Sequence, residues 1–500
     1  MQTAVLQSTR SLNYPNEGKM NGVAYDTAWV ARVKDQQGDP LFPECIKWLV
    51  ENQYPDGSWG SSVRHVQDHI LSTLVAIIAL SEMDKKKFED RIHRGESYIW
   101  DHIDELGNED RRLAGIELIF PTLMKEAEAI GLNLPYHKRK YEEERRIKLE
   151  KIDRSLWYCK STTLPYSLEF LGDELDTEKA AGLLSENGSV FNSPSTTAYV
   201  LQHTGIPEAY TYLLRTLMHT GDGSIMTVHP FEIFEGSWII YNYMIGGIDV
   251  CDIYGKYYAF FLHCMSPRGV GASMYFPLPD ADDTALVAKV LAHNGIFVSP
   301  SIFESYYTGN HFVTYGFEET ESSITTNLHI LDFLKEYSNF QQVREVEEHI
   351  LQFVRREMRY PGYWVDKWHA SIYYPTSHAV IALSHVDNAL ASKAVQWILE
   401  TQNENGMWGC EKGSIEETAY AVQALLHYHM NVERIDLGLV ARAVRHLFAI
   451  DMGEWPEFWV AKGLYVPTNI VRSAVVSALN MYNTAMGRSS CIPTMERASR

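Results

Sequence analysis

Residues 48–60, WLVENQYPDGSWG, and residues 397–409, WILETQNENGMWG, are two copies of one pattern. Trp48, Gln53, Gly57, Trp59 and Gly60 recur at the same offsets as Trp397, Gln402, Gly406, Trp408 and Gly409, and an acidic residue, Asp68 or Glu417, follows each copy at the same distance. In both, an apolar helix runs towards the Gln, a Gly-containing turn follows, and the acid opens the next helix. A unit that recurs in this way implies packed helical repeats, each covering the other's apolar side. Gly permits the turn, Trp covers helix ends, and Gln satisfies backbone groups left free at a helix terminus. These residues are therefore assigned to stability rather than to chemistry.

The rest of the chain agrees with an all-α fold. Apolar spacing near 3.6 residues predicts helices over 70–80, 116–129, 284–292, 326–334 and 418–428. Strand signals are few, and loops are marked by GDGS at 221–224, SPRGVG at 266–271 and RYPGYW at 359–364. The segment HKRKYEEERRIKLEKIDR, 137–154, is dense in both charge signs and reads as a solvated helix or linker; phosphate binding there would need other groups to converge on it.

Composition narrows the function. The 500 residues carry 44 basic and 64 acidic side chains, a net charge of −20, with 45% hydrophobic residues. That is a globular composition, and its acidity argues against a nucleic-acid partner, which calls for a basic face. The six cysteines stand apart, without metal-ligand spacing, so neither a zinc site nor a disulfide framework suggests itself and a reducing, cytoplasmic setting is expected. No uncharged apolar run reaches the roughly 18 residues of a membrane span, although peripheral membrane contact is compatible with the sequence.

The chemistry concentrates in FPLPDADDTALVAKVLAHNG, 276–295. Pro277 and Pro279 stop an extended segment, Asp280 can cap a new helix, and Asn294 with Gly295 can end it. Asp282 and Asp283 stand four residues before Leu286 and Val287, so they share the apolar face and point inward. Burial and like charge both raise a carboxyl pKa, so one of the acids is expected to keep its proton. The helix N-terminus favours the conjugate base, which helps that proton leave. Such a buried acid suits protonation of a carbon–carbon double bond.

Here the sequence resembles the class II terpene cyclases. Asp280, Asp282, Asp283 and Thr284 match the family's DxDDTA signature, VAYDTAWV at 23–30 its SAYDTAWVA segment, and the repeated Gln–Trp pattern its QW motifs. IELIFPTL at 116–123 is similar to GFEVVFPSL, and SITTNLHIL at 323–331 and DKWHASIYY at 366–374 are similar to bacterial members; the likeness spans about Asn21 to Ala485. It implies two α/α barrel domains, β and γ, with the γ domain at 40–221 inserted into a β domain made of 1–39 and 222–500. It further implies that Asp282 protonates the terminal isoprene with Asp280 and Asp283 in support, and that Asn327 hydrogen-bonds near the acid.

A carbocation needs stabilisation without capture by water, so aromatic faces should line the cavity. Trp238, Tyr275, Trp364, Trp368, Tyr374 and Tyr420 are the candidates, and His369, His329 and His378 are candidate acceptors of the terminating proton. No cofactor is required for the protonation itself. Relatives that use a diphosphate substrate bind it with basic residues and Mg2+ held by acids upstream of GFEVVFPSL. In DELGNEDRRLAGIEL, 104–118, Glu105, Glu109 and Asp110 are acidic, and Glu109 with Asp110 could hold the ion, but Arg111 and Arg112 follow where the family often continues acidic. That departure leans the substrate towards the geranylgeranylated hydroxybenzoate of cyanobacterial meroterpenoid cyclases, with geranylgeranyl diphosphate as the alternative. Competing classes are an α/α toroid glycosidase, which needs a second carboxylate across a polar cleft, and a noncatalytic lipid carrier.

Overall fold

The computed structural model describes residues 17–107, 111–249, 251–316, 319, 321–337, 341–410, 412–449 and 455–487. Within them each predicted helix is present. The Val66–Asp84, Ile116–Ala129, Ala281–His293, Ile324–Leu334 and Ile415–Asn431 helices contain the stretches read from periodicity. The strand content is one antiparallel pair, Trp459–Val460 with Leu464–Tyr465.

The helices close into two α/α barrels. In the second, the inner ring runs from Glu232–Ile245 to Ala281–His293, Ile324–Leu334, Tyr373–Leu383, Ile415–Asn431 and Thr468–Ala485, which packs back on Glu232–Ile245. In the first, Ala24–Ala31 packs on Val66–Asp84, which meets Ile116–Ala129, then the 3-10 segment Leu164–Glu174, then Pro194–Thr204, and this returns to Ala24–Ala31. Inner helices are buried nearly all round, which explains their lack of a polar face. Among the described helices only Val66–Asp84 is long and apolar enough to cross a bilayer, and it is buried inside this ring.

The Ala24–Ala31 helix departs from the division expected from the sequence. Residues 19 and 20 do run with the second barrel, where Thr468 N donates to Lys19 O at 3.1 Å and Met20 pairs with Pro467. The helix that follows completes the first ring instead. Its Thr27 Oγ1 receives Ile225 N at 2.9 Å, so the turn after the Pro207–Thr220 helix docks on it as on the next inner helix.

That contact belongs to a turn that recurs more often than the letters suggest. Trp59 N donates to Thr73 Oγ1, Trp408 N to Thr418 Oγ1, Val190 N to Thr197 Oγ1 and Ile225 N to Thr27 Oγ1, all at 2.9–3.1 Å. Gly57, Gly406, Gly188 and Gly223 precede these residues at φ of +96°, +93°, +87° and +94°, which only Gly adopts without strain. Asp56, Asn405, Asn187 and Asp222 close the turns through their side chains. The indoles of Trp59 and Trp408 donate to the carbonyls of Leu49 and Ile398, ten residues back, and Gln53 and Gln402 each donate to the turn Gly and to a neighbouring carbonyl. The structural role read for these residues is their role here.

Candidate active site

The Ala281–His293 helix starts where its sequence dictates. Asp280 is extended, and its Oδ1 accepts the amides of Asp282 at 2.9 Å and Asp283 at 2.7 Å. Ala281 N donates to Thr314 O, and Thr284 Oγ1 exchanges hydrogen bonds with Val270, which fixes the capping turn against two loops. All three carboxyls are buried. Burial, offset in part by these amides, holds Asp280 at about 7. Burial, then the charges of Asp280 and Asp282, push Asp283 far above the carboxyl range. Asp280 Oδ2 and Asp283 Oδ1 have no hydrogen-bond partner among ordinary donors, as expected of two carboxyls that share a proton.

Asp282 has a different partner. Its Oδ1 lies 2.6 Å from His329 Nδ1, and His329 Nε2 lies 2.8 Å from His378 Nδ1. Burial, the largest influence, holds His378 well below the ordinary histidine range, so it is neutral. Both histidines sit behind the acid, outside the cavity lining.

The three aspartates open into a cavity of about 620 Å3 between the barrels, within the size range of small-molecule sites. Trp238, Tyr374 and Trp368 line it as the sequence suggested, joined by Phe231, Phe234 and Trp459, which it did not single out. Trp238 Nε1 donates to Tyr374 Oη at 3.0 Å, and the Trp238 and Phe234 rings lie 4.5 Å apart, so this aromatic wall is rigid. Trp459 escaped notice because its hairpin is too short to show a strand pattern.

Several expectations are corrected. Trp364 is not in the cavity: its indole donates to Val354 O, ten residues back, and its backbone N–H donates to Thr376 Oγ1, repeating the geometry of Trp59 and Trp408 without the Gln. Tyr275 lies outside the lining, its carbonyl taken by Ser185, and Phe276 faces the cavity instead. Tyr420 packs edge-on behind Tyr374 at 5.1 Å. Asn327 does not touch the acids; its amide bonds Phe312 N and O and Ser323 O, tying down the loop that carries Thr314. His369 stacks behind Tyr374 at 4.5 Å and bonds Glu416, outside the cavity lining.

The charged segment also changes meaning. Residues 142–151 form a helix against the Ile116–Ala129 helix, and Glu144, Ile147, Lys148 and Lys151 line the cavity mouth with Arg112 and Glu117. Their spacing of three, four and seven is one helix face, a signal the sequence held. Arg112 pairs with Glu144 at 3.2 Å and Lys148 with Glu117, while Lys367 pairs with Glu319 at 2.6 Å on another side of the cavity. Glu109 and Asp110 lie outside the described residues.

Residues 318–427 match the squalene-hopene cyclase C-terminal domain, and residues 32–117 the prenyltransferase alpha-alpha toroid domain. The chain is 34% identical over 489 residues to the type B diterpene cyclase of Mycobacterium tuberculosis, covering 92% of this chain and 96% of that protein. The chain belongs to the class II terpene cyclases. It is also 32% identical over 343 residues to the chloroplastic bifunctional levopimaradiene synthase of Ginkgo biloba, of which this cyclase spans 39% while 66% of its own length is matched. In fold it is like the ent-copalyl diphosphate synthase from Streptomyces platensis, at a TM-score of 0.77 and 23% identity over 96% of this chain and 98% of that one. The cyclase is thus an intramolecular isomerase that acts by protonation, a step for which no metal is needed.

Proposed function

We propose that this cyclase folds geranylgeranyl diphosphate in the cavity and converts it to a bicyclic diphosphate, starting with proton transfer from Asp282 to the terminal alkene. The alkene π pair forms the new C–H bond and leaves a tertiary cation beside it, while the O–H pair stays on Asp282. With His378 donating from Nδ1 to His329 Nε2, His329 donates from Nδ1 to Asp282 Oδ1 and leaves the other oxygen to carry the proton into the cavity. Asp280 and Asp283, sharing a proton, then present Asp282 with one neighbouring charge rather than two. Trp238, Phe234, Tyr374 and Trp459 offer π faces to the cation and exclude water.

One observation carries the preference for a diphosphate over a prenylated hydroxybenzoate: Arg112, Lys148 and Lys151 gather at the cavity mouth. Lys151 forms no ion pair with a described residue. The similarity to a type B diterpene cyclase along nearly the whole chain supports the same reading. Bound Mg2+ would supply further neutralisation of the diphosphate, and Glu109 with Asp110 are the candidate holders; Asp110 stands two residues from Arg112 at the mouth.

Incubation with geranylgeranyl diphosphate and, separately, geranylgeranylated dihydroxybenzoate, with and without chelator, tests the head group by mass spectrometry and NMR of the products. Only the diphosphate is expected to cyclise. Arg112→Ala and Lys151→Ala are each expected to raise KM roughly 10-fold or more, the cost of a hydrogen bond to a charged group. Turnover of the hydroxybenzoate alone, or an unchanged KM in both variants, would reject the diphosphate reading.

A further inference from the structure

A second cluster of ligating side chains lies on the far side of the Phe231 wall. His219 ends the Pro207–Thr220 helix, His229 stands in the loop that leads to the cavity, and Glu17 begins the described chain. Glu17 Oε2 is 3.4 Å from His229 Nε2 and 3.7 Å from His219 Nδ1, and the two imidazole rings lie 4.9 Å apart. An ion held tetrahedrally at 2.0–2.1 Å needs its ligand atoms about 3.3 Å from one another. The first two separations already approach that value, and all the ligand atoms lie within 4.8 Å of each other.

We infer that Glu17, His219 and His229 form a divalent transition-metal site of the zinc type, with a fourth position for water. Two further observations point to a ligand. His229 is 1% exposed, its Nδ1 has no hydrogen-bond partner, and its Nε2 has only the 3.4 Å contact with Glu17, which is too long and poorly aligned for a good hydrogen bond, a costly state for a buried imidazole. His219 Nε2 donates to Gly18 O at 2.9 Å, which sets its tautomer and turns the Nδ1 lone pair towards Glu17. A backbone carbonyl orients metal-bound imidazoles in the same manner. Arg215 opposes a cation here, but it is solvent-exposed, and Glu17 offsets its charge.

The site would be structural and would act on the cavity wall. Phe231 N donates to Glu17 O at 2.9 Å, and Val228 and Phe231 line the cavity, so an ion here would pin the entering chain, the end of the first barrel and the aromatic wall together. The scattered cysteines gave no hint of it, because its ligands are separated by 202 and 10 residues and include no thiol.

The test uses the full chain stripped of metal with chelator and then titrated with zinc chloride against a chromophoric competitor. One equivalent per chain is expected to bind, the thermal midpoint to rise with zinc, and cobalt to give the intense visible bands of a tetrahedral site. His219→Ala, at a partly exposed position, and Glu17→Gln are each expected to keep the helical circular-dichroism spectrum. Both should weaken zinc binding about 100-fold and abolish the thermal shift. Equal zinc affinity in the parent and both variants, or no bound equivalent in the parent, would overturn the site and leave a histidine–carboxylate ion pair. Metal content and thermal shift are read without substrate, so the outcome is independent of the proposed cyclisation.

Discussion

Asp282→Asn is expected to lower the rate of cyclisation by about 10^3- to 10^4-fold while leaving the KM for the prenyl substrate within a few-fold. Asn fills the same volume at the first turn of the Ala281–His293 helix, and its carbonyl can still accept from His329 Nδ1, now 2.6 Å from Asp282 Oδ1. What it cannot do is release a proton to carbon. The neighbouring acids do not replace it, because they are committed elsewhere. Asp280 Oδ1 caps the helix through two amides, and Asp283 is held protonated by burial beside Asp280. His329→Phe should show a smaller loss, since the acid keeps its proton but loses the donor that stabilises its conjugate base. Single-turnover measurements with binding monitored separately divide the two effects. Parent-like turnover in Asp282→Asn would remove this carboxyl from the reaction.

The acid was legible because everything that positions it is local: two prolines, a cap and inward spacing along one helix. Its partner was not. His329 lies 47 residues from Asp282, and one letter gives no reason to prefer it as the acid's partner over the end of the reaction. Trp364 shows the opposite failure, since its neighbours resemble a cavity segment while its bonds reproduce the repeat turn. The repeat itself was half visible. Copies that keep Trp declare themselves, whereas those at 185–190 and 221–225 put Val190 and Ile225 in the same place and retain only the Asn-Gly-Ser or Asp-Gly-Ser that makes the turn. The mouth was hidden by local charge pairing in residues 142–151, such as Arg146 with Glu143 and Glu150, which reads as a solvated helix until packing turns Lys148 and Lys151 towards the cavity.

The largest expected loss of stability comes from a lysine that joins the two barrels. Lys462 stands between the paired strands Trp459–Val460 and Leu464–Tyr465, whose residues Trp459, Val460 and Tyr465 line the cavity. Its Nζ reaches wholly into the first barrel, 2.7 Å from Glu169 Oε1, 2.6 Å from Ser193 Oγ and 2.9 Å from Tyr166 O, with both charged side chains fully buried. Glu169 is further held by Tyr25 Oη at 2.9 Å and Thr196 Oγ1 at 2.6 Å. Lys462→Met keeps the length and packing of the side chain but leaves Glu169 without its counter-charge, at a cost of about 3–5 kcal/mol. Asp26 adds a pH dependence of known sign. Burial already holds it at about 6 against an ordinary 3.8, and the charge of Lys462 is the main influence pulling it down. A carboxyl raised on folding favours the native state below its unfolded value and loses that contribution as pH rises through the folded one. Without Lys462 the folded value climbs further, so the variant's deficit should be greater at pH 8 than at pH 5. Urea midpoints at the two values measure it. Adding Glu169→Gln, which removes the stranded charge, is expected to recover more than half of the loss. A double variant as unstable as the sum of two independent losses would show that Lys462 acts through packing alone, and that the barrels are not held by this pair.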